Sequence, residues 1–344
     1  PEDMSLPRLV YGGHRLRMFA AEAYQRIYSQ AVGECVGQGT KCICAGDGHM
    51  LAMLATEQGA ERVVNLEASL QATRLAVEAI SACASEGVVR TVHVELAEAS
   101  DSDEEQEDRG QPATACLLQT LRDECPDLVG VSFNALLAEP AYLDASIGAH
   151  AGGGGLQFDN LRFWKDRTEI SELLTTDAKI MPMGAKVVGV AVEFDDLRSS
   201  QEKVNLVEGF DLSPFCEIQP TDEESRMVAF DLWMYKWKPL SHTFDIMEFD
   251  FTGENRDVSS IHLRPRDGAG AGHAASAVAF SATGTCHAVV LWLEWQLTQS
   301  VELSCGPSDS GVCNYKQVVY FFDKGESVSA DSSTKLHLDR ASWE

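Results

Sequence analysis

The residues of this chain best placed to do chemistry form a short constellation between positions 46 and 67. Gly46-Asp47-Gly48 is a turn-forming triplet that opens onto a helical stretch, and Glu67 stands about twenty residues further on, ending the next apolar run. Glycines let a backbone approach a ligand closely, and an acid at the tip of a second strand can accept ribose hydroxyls. The chemistry so indicated is binding of an adenosine-containing cofactor. A plain tight turn followed by a solvated strand-end acid would leave the same residues in the same order. His14, His150, His262 and His273 add no Cys/His or Ser/His/Asp constellation at a usable spacing.

Those residues need a scaffold, and the flanking pattern supplies one. An apolar run from Cys42 to Ala45, a helical stretch from Met50 to Gln58 closed by Gly59-Ala60, and a second apolar run from Val63 to Leu66 make a βαβ unit. A helix from Leu70 to about Ala84 follows, then strands at Val88 to Leu96 and at Leu128 to Phe133. Alternating strands and helices imply a parallel, doubly wound sheet with right-handed crossovers. After Met181-Pro182-Met183-Gly184 the runs follow one another without helices, at Lys186 to Phe194, Phe244 to Phe251, Ala275 to Phe280, His287 to Gln296 and Lys316 to Phe322. That pattern predicts a barrel or sandwich. The fold class is therefore α/β, with a Rossmann-like domain over 1–180 and a β-rich domain over 181–344.

Two segments interrupt this order. The stretch 98–112 carries six acids in the eight positions from Asp101 to Asp108 and reads as a solvated, disordered insertion or as an attractor for a basic partner. The stretch 207–240 combines Asp222-Glu223-Glu224 with Phe230, Trp233, Tyr235 and Trp237. Its aromatics either complete the barrel core or mark an excursion that packs on another surface.

Composition narrows the partners. The 344 residues fit two domains, and 44% apolar with 23% charged residues is an ordinary globular balance. A net charge of -26 disfavours phosphate backbones and anionic membranes and would attract a basic protein, although solubility alone also accounts for it. The ten cysteines lack the framing of a disulfide scaffold, and no apolar run reaches 18 residues. The expectation is an intracellular protein of the cytoplasm or nucleus, with neither nucleic acid nor membrane as direct ligand. Because residue 1 is Pro1, it is expected to lie inside a longer or processed polypeptide.

The chain resembles a protein arginine methyltransferase, most closely the second, C-terminal module of the tandem two-module, monomethylating (type III) members. The matching stretches run in order along the chain: Cys42 to Ser69, Leu137-Ala138-Glu139-Pro140, Met181-Pro182, Val192-Glu193-Phe194 and Glu208-Gly209-Phe210-Asp211. They continue through Leu240-Ser241, Phe249-Asp250-Phe251, His287 to Leu297 and Lys316 to Phe322. The resemblance implies a class I methyltransferase domain, a β-barrel domain, and a dimerisation arm inserted at about 207–240. It further implies S-adenosylmethionine as cofactor and arginine side chains of basic proteins as substrate.

Departures from the family pattern limit what carries over. The ungapped register puts Ala45, Asp47 and His49 where the family alternates three glycines, whereas sliding by one residue places Gly46 and Gly48 at the first two. In the ungapped register the Asp47 carboxylate faces the cofactor's own carboxylate, which weakens or abolishes cofactor binding. Active members hold the guanidinium between two glutamates; Glu139 matches the first, and Gly148 stands where the second is expected. The loop ending Thr-His-Trp in the family reads Cys313-Asn314-Tyr315 here. The family's zinc site makes Cys305 and Cys313 weak candidate ligands, with Cys216 or His287 as further donors if they fold close. The expectation is a degenerate module that completes a dimer-like arrangement with an active module or homologous subunit. Two alternatives are a working arginine methyltransferase and a scaffold subunit of a larger assembly.

Overall fold

The computed structural model describes residues 20–45, 50–67, 70–83, 87–94, 117–126, 130–139, 160–199, 206–216, 227–253, 273–307 and 316–339. In the N-terminal half, β1 (Lys41–Ala45), β2 (Arg62–Glu67), β3 (Val89–His93), β4 (Phe133–Ala138) and β5 (Leu174–Met181) form one parallel sheet in the order β3-β2-β1-β4-β5. Helices α1 (Glu22–Cys35), α2 (Met50–Glu57), α3 (Leu70–Cys83), α4 (Leu117–Glu124) and α5 (Asn160–Glu169) flank and connect these strands. Strands covered on both faces read as continuous apolar runs, which is why Cys42 to Ala45 and Val63 to Leu66 are buried at every position. Helix α2 stops at Gly59, which adopts φ +90 and lets Ala60 N–H bond back to Ala55 O at 3.0 Å.

The fourth strand is not where the apolar run Leu128 to Phe133 places it. Gly130 has φ +82, a turn conformation that interrupts the run, and the strand begins at Phe133. Starting there sets Ala135 beside Cys42 and Leu137 beside Cys44. The acidic insertion 98–112 lies outside the described residues.

The C-terminal half is a β-barrel domain of antiparallel strands. Its central strand β6 (Gly184–Phe194) pairs along one edge with β13 (Gly284–Gln296) and along the other with β11 (Phe244–Asp250) and β10 (Trp237–Pro239). Strand β13 continues to β15 (Gln317–Val328), which carries β9 (Met227–Phe230), and β14 (Glu302–Ser304) adds to the end of β13. A further pair joins β12 (His273–Ala279) to β16 (Ser333–Asp339). Strand alternation divides the apolar side chains between two faces. Val187, Val289 and Leu291 join the core that also holds Leu136 and Met181 of the parallel sheet, whereas Val188, Val190, Val290 and Trp292 pack with Phe321 on the other face.

Within the stretch 207–240, residues from Met227 onward belong to the barrel. Phe230 lies edge-on to Tyr235 (5.6 Å) and Phe321 (6.1 Å), and Trp237 packs on the same cluster, while Trp233 is exposed. What stands apart is a hairpin of β7 (Leu206–Val207) and β8 (Phe210–Asp211). Its two-residue turn, Glu208 at φ 50 and Gly209 at φ 85, is the left-handed pair that a tight hairpin requires.

The two halves are tied at Glu34 on α1. Its carboxylate accepts hydrogen bonds from the hydroxyls of Ser300 and Thr298, in the turn between β13 and β14. These two bonds, Ser300 first, hold the Glu34 carboxyl below its ordinary 4.5. A depressed folded value means the tie contributes stability above the unfolded value and loses it as the pH falls through the folded one. Glu34→Gln is therefore expected to lower the melting temperature at neutral pH, with the gap to the parent closing as the pH drops below 4.5. Calorimetric melts of both proteins between neutral and acid pH read this directly, and a gap constant over that range would show that ionisation of Glu34 plays no part.

Candidate functional site

Strands β1 and β4 are neighbours in the sheet but not in sequence. From β1 the chain winds outward through β2 and β3, then returns to the opposite side of β1 as β4 and β5. A parallel sheet opens a ligand crevice beyond the carboxyl ends of its strands where the winding reverses, and here that point lies between β1 and β4. Glu139 sits at this point: it follows the last residue of β4, its N–H donates to Ala45 O at 3.2 Å, and it is 3% exposed. Glu67 ends β2 on the other side of β1 and is 1% exposed. Two buried carboxylates thus flank the end of β1.

The surroundings of Glu67 are built by strand alternation. Asn65 lies two residues earlier on the same face of β2, and its Nδ2 donates to Glu67 Oε1 at 2.9 Å. The parallel register sets Asn65 beside Cys44 of β1 and Glu67 beside His93 of β3. The backbone of Glu67 is fixed as well, since Val94 N–H donates to its carbonyl at 2.9 Å. The Cys44 thiol is pushed well above its ordinary 9.0, first by its hydrogen bond with Cys42, then by burial, with the charges of Cys42 and Glu67 adding. It therefore stays a neutral thiol, and the floor beside Glu67 carries no second anion from Cys44.

The loop between Ala45 and Met50, with Gly46, Asp47, Gly48 and His49, lies outside the described residues, as do Asp144, Gly148 and Cys313-Asn314-Tyr315. The described ends of that first loop are the tip of β1 and the first residue of α2. The structure thus brings Glu67 and Glu139 to one sheet edge, with the sequence-indicated loop rooted between them.

Among the described residues, no group of three or more His, Cys, Asp or Glu could hold a metal ion. Cys305 is buried at the end of β14, where its N–H donates to Leu293 O at 2.9 Å. His287 Nδ1 accepts the Phe194 N–H at 3.1 Å, so one of its ring nitrogens is used within the barrel. Among the described residues no helix is long and apolar enough to cross a membrane.

Sequence reasoning missed two buried amides. Asn65 interrupts the run Val63-Val64-Asn65-Leu66, a signal that only its burial makes visible. Gln317, the first residue of β15, spans the base of the loop before that strand: its Nε2 donates to Cys305 O at 2.8 Å and its Oε1 accepts from Leu232 N–H at 3.3 Å.

No family model matches the chain. In sequence it is 27% identical over 321 residues to protein arginine N-methyltransferase 7 of Danio rerio, covering 90% of this chain and 40% of that protein. It is 29% identical over 306 residues to the protein of the same name from Mus musculus, covering 86% and 38%. Protein arginine N-methyltransferase 1.6 of Arabidopsis thaliana is 33% identical over 207 residues, or 57% of this chain and 26% of the relative. The chain thus spans about two fifths of the length of the first two relatives. Among solved structures, the Trypanosoma brucei PRMT1 enzyme-prozyme heterotetrameric complex with AdoHcy superposes with a TM-score of 0.63 at 14% identity, over 96% of this chain and 88% of that chain. Arabidopsis thaliana protein arginine methyltransferase 10 gives 0.62 at 13% identity with the same coverage. At these identities the two structures establish a shared fold.

Proposed function

We propose that this chain, which belongs to the protein arginine methyltransferase family, is a degenerate module that completes a dimer-like arrangement with an active module or homologous subunit. The observation that carries the reading is the β7–β8 hairpin. Leu206 is 72% and Phe210 71% exposed, with Val207 beside them also exposed, so the hairpin presents an apolar surface that the described residues do not cover. Exposed apolar clusters of this kind mark contacts with another protein. A solved neighbour of the same fold is an enzyme-prozyme complex, in line with a pairing of unlike subunits.

The crevice supports the degenerate half of the reading. Glu67 suits the ribose of S-adenosylmethionine, being a buried carboxylate with one oxygen already held by Asn65. Asp47 and His49, in place of glycines, do not suit its amino-acid end, and Gly148 leaves Glu139 without the second carboxylate that would orient a guanidinium. When bound in a working family member, the cofactor supplies the transferable methyl group; methyl transfer is not part of this reading. The observation favouring an active enzyme instead is that Glu67 and Glu139 are both in place at one sheet edge.

The test is association. The full chain mixed with a homologous active module is expected to co-elute as a complex, and Leu206→Asp with Phe210→Asp to weaken that complex by at least about 30-fold, the effect of losing a buried apolar anchor. Circular dichroism of the variant should match the parent, since the hairpin pairs only with itself among the described strands. Undiminished association of a folded variant would sink the proposal.

A further inference from the structure

The β7–β8 hairpin rests on a short ladder. Two residue pairs, Leu206 with Asp211 and Val207 with Phe210, make it up, and among the described strands the hairpin pairs only with itself. A two-stranded hairpin is marginal in water by itself, so its shape depends on what holds its ends. At the end of β8 that hold is the pair Asp211 and Ser213. Asp211 Oδ1 accepts the Ser213 N–H at 2.9 Å, and the same carboxylate accepts the Ser213 hydroxyl. These bonds, the hydroxyl's first, keep the Asp211 carboxyl below its ordinary 3.8, so it is an anion at neutral pH. Ser213 is followed by Pro214, which is exposed, and Ser/Thr-Pro is the dipeptide that proline-directed protein kinases modify. Of the 11 prolines in the chain only Pro214 follows a serine or threonine, so this dipeptide occurs once, three residues past Phe210.

We infer that Ser213 is a phosphorylation site whose modification switches off the apolar hairpin as a docking surface. The step is phosphoryl transfer from a nucleoside triphosphate. Ser213 Oγ bonds to the γ-phosphorus, the bond from that phosphorus to the β–γ bridging oxygen breaks, the diphosphate leaves, and the hydroxyl proton passes to the kinase's base. The O–H that Asp211 accepts is then gone, and roughly two negative charges stand in its place beside an ionised carboxylate. From Leu206 to Cys216 the sequence holds Glu208 and Asp211 and neither lysine nor arginine, so no neighbouring cation in the segment takes up the phosphate. The two anions part. Asp211 is one of the four ladder residues, so its displacement opens the pair with Leu206 and shifts Phe210, its neighbour in the chain. The phosphate also loses water beside side chains that docking buries, which opposes association even where the hairpin keeps its shape. The inference rests on the proposed function, because it takes the hairpin as the docking surface, and it adds that surface's regulation: the free chain offers Ser213, and the unmodified chain docks.

Treating the full chain with a proline-directed kinase and ATP tests this. Peptide mapping by mass spectrometry is expected to find phosphate on Ser213 of the free chain. Affinity for the homologous active module should then fall by about 100-fold or more, the effect of like charges and an unpaired anion at an interface. Chain already in complex with the module should be modified far more slowly than free chain. Ser213→Ala keeps the N–H bond to Asp211 and has no hydroxyl to modify, so its affinity should be the same with and without kinase treatment. Absence of phosphate from Ser213 in the free chain overturns the inference, and so does modification of bound and free chain at one rate. A Ser213→Ala chain that the kinase weakens as much as the parent overturns it too, by tracing the effect to another residue. Association that survives the phosphate overturns the inference alone, whereas an unmodified chain that fails to associate overturns the proposed function and the inference with it.

Discussion

Replacing Asp47 and His49 together by glycine is expected to raise the affinity of this chain for S-adenosylmethionine by at least about a thousandfold. The two residues lie in the four-residue connection between Ala45, the tip of β1, and Met50, the start of α2. In the ungapped register Asp47 takes the middle of three positions at which the family alternates glycines. On the proposed reading a carboxylate there would face the carboxylate of the cofactor's methionine, and two such charges repel by roughly 4 kcal/mol at 4 Å in a medium of effective dielectric near 20. Side chains at 47 and 49 also oppose any left-handed backbone, at roughly 1–2 kcal/mol each. Calorimetry of parent and double variant separates the cases. The parent should give no heat up to millimolar ligand, and the variant should bind in the micromolar range. Micromolar binding by the parent would remove the case for a silent module. Equal, tight binding by both proteins would show instead that Gly46 and Gly48 occupy the working positions.

Much of the scaffold around that loop was legible because the burial of parallel strands is written as unbroken apolar runs. Cys42 to Ala45 and Val63 to Leu66 could be placed for that reason, and Glu67 could be named as the acid at a strand tip. The fourth strand was misplaced because apolar periodicity carries no register. Leu128, Val129 and Val131 look like a strand, yet the positive φ of Gly130 turns the chain, and pairing with β1 selects Phe133 to Ala138. The fifth strand, Leu-Thr-Thr-Asp-Ala-Lys-Ile-Met, escaped notice because it is an edge strand, half polar, with only Ile180 and Met181 buried. Glu139 drew attention through family resemblance alone. Its place at the reversal between β1 and β4 follows from strand order, which no local pattern encodes. Asn65 was invisible for a further reason: a single polar residue in an apolar run acquires meaning only when its burial and its bond to Glu67 are known.

Phe251→Ala is expected to cost about 3–5 kcal/mol of stability, the range for truncating a fully buried aromatic that leaves an unfilled cavity. Phe251 is 1% exposed and lies where α5 meets the barrel. Its ring is edge-on to Phe163 (5.4 Å) and Trp164 (6.1 Å) of α5, and stacks on Phe249 (6.3 Å) of β11 and Trp295 (6.1 Å) of β13. The backbone around it is part of the same joint. Phe251 N–H donates to Met183 O at 2.9 Å, Arg167 Nη2 donates to Thr252 O at 2.8 Å, and Trp164 Nε1 donates to Gly253 O at 3.1 Å. Removing the ring withdraws the surface on which α5 rests, so the loss should exceed that of Trp164→Phe, which keeps a ring and gives up one hydrogen bond at about 1 kcal/mol. Equilibrium denaturation followed by tryptophan fluorescence measures both variants. Losses of similar size would mean that the hydrogen bonds, and not the buried aromatic ring, hold α5 to the barrel. A loss several-fold larger for Phe251→Ala would identify apolar packing at this single side chain as what fixes the parallel-sheet half on the barrel.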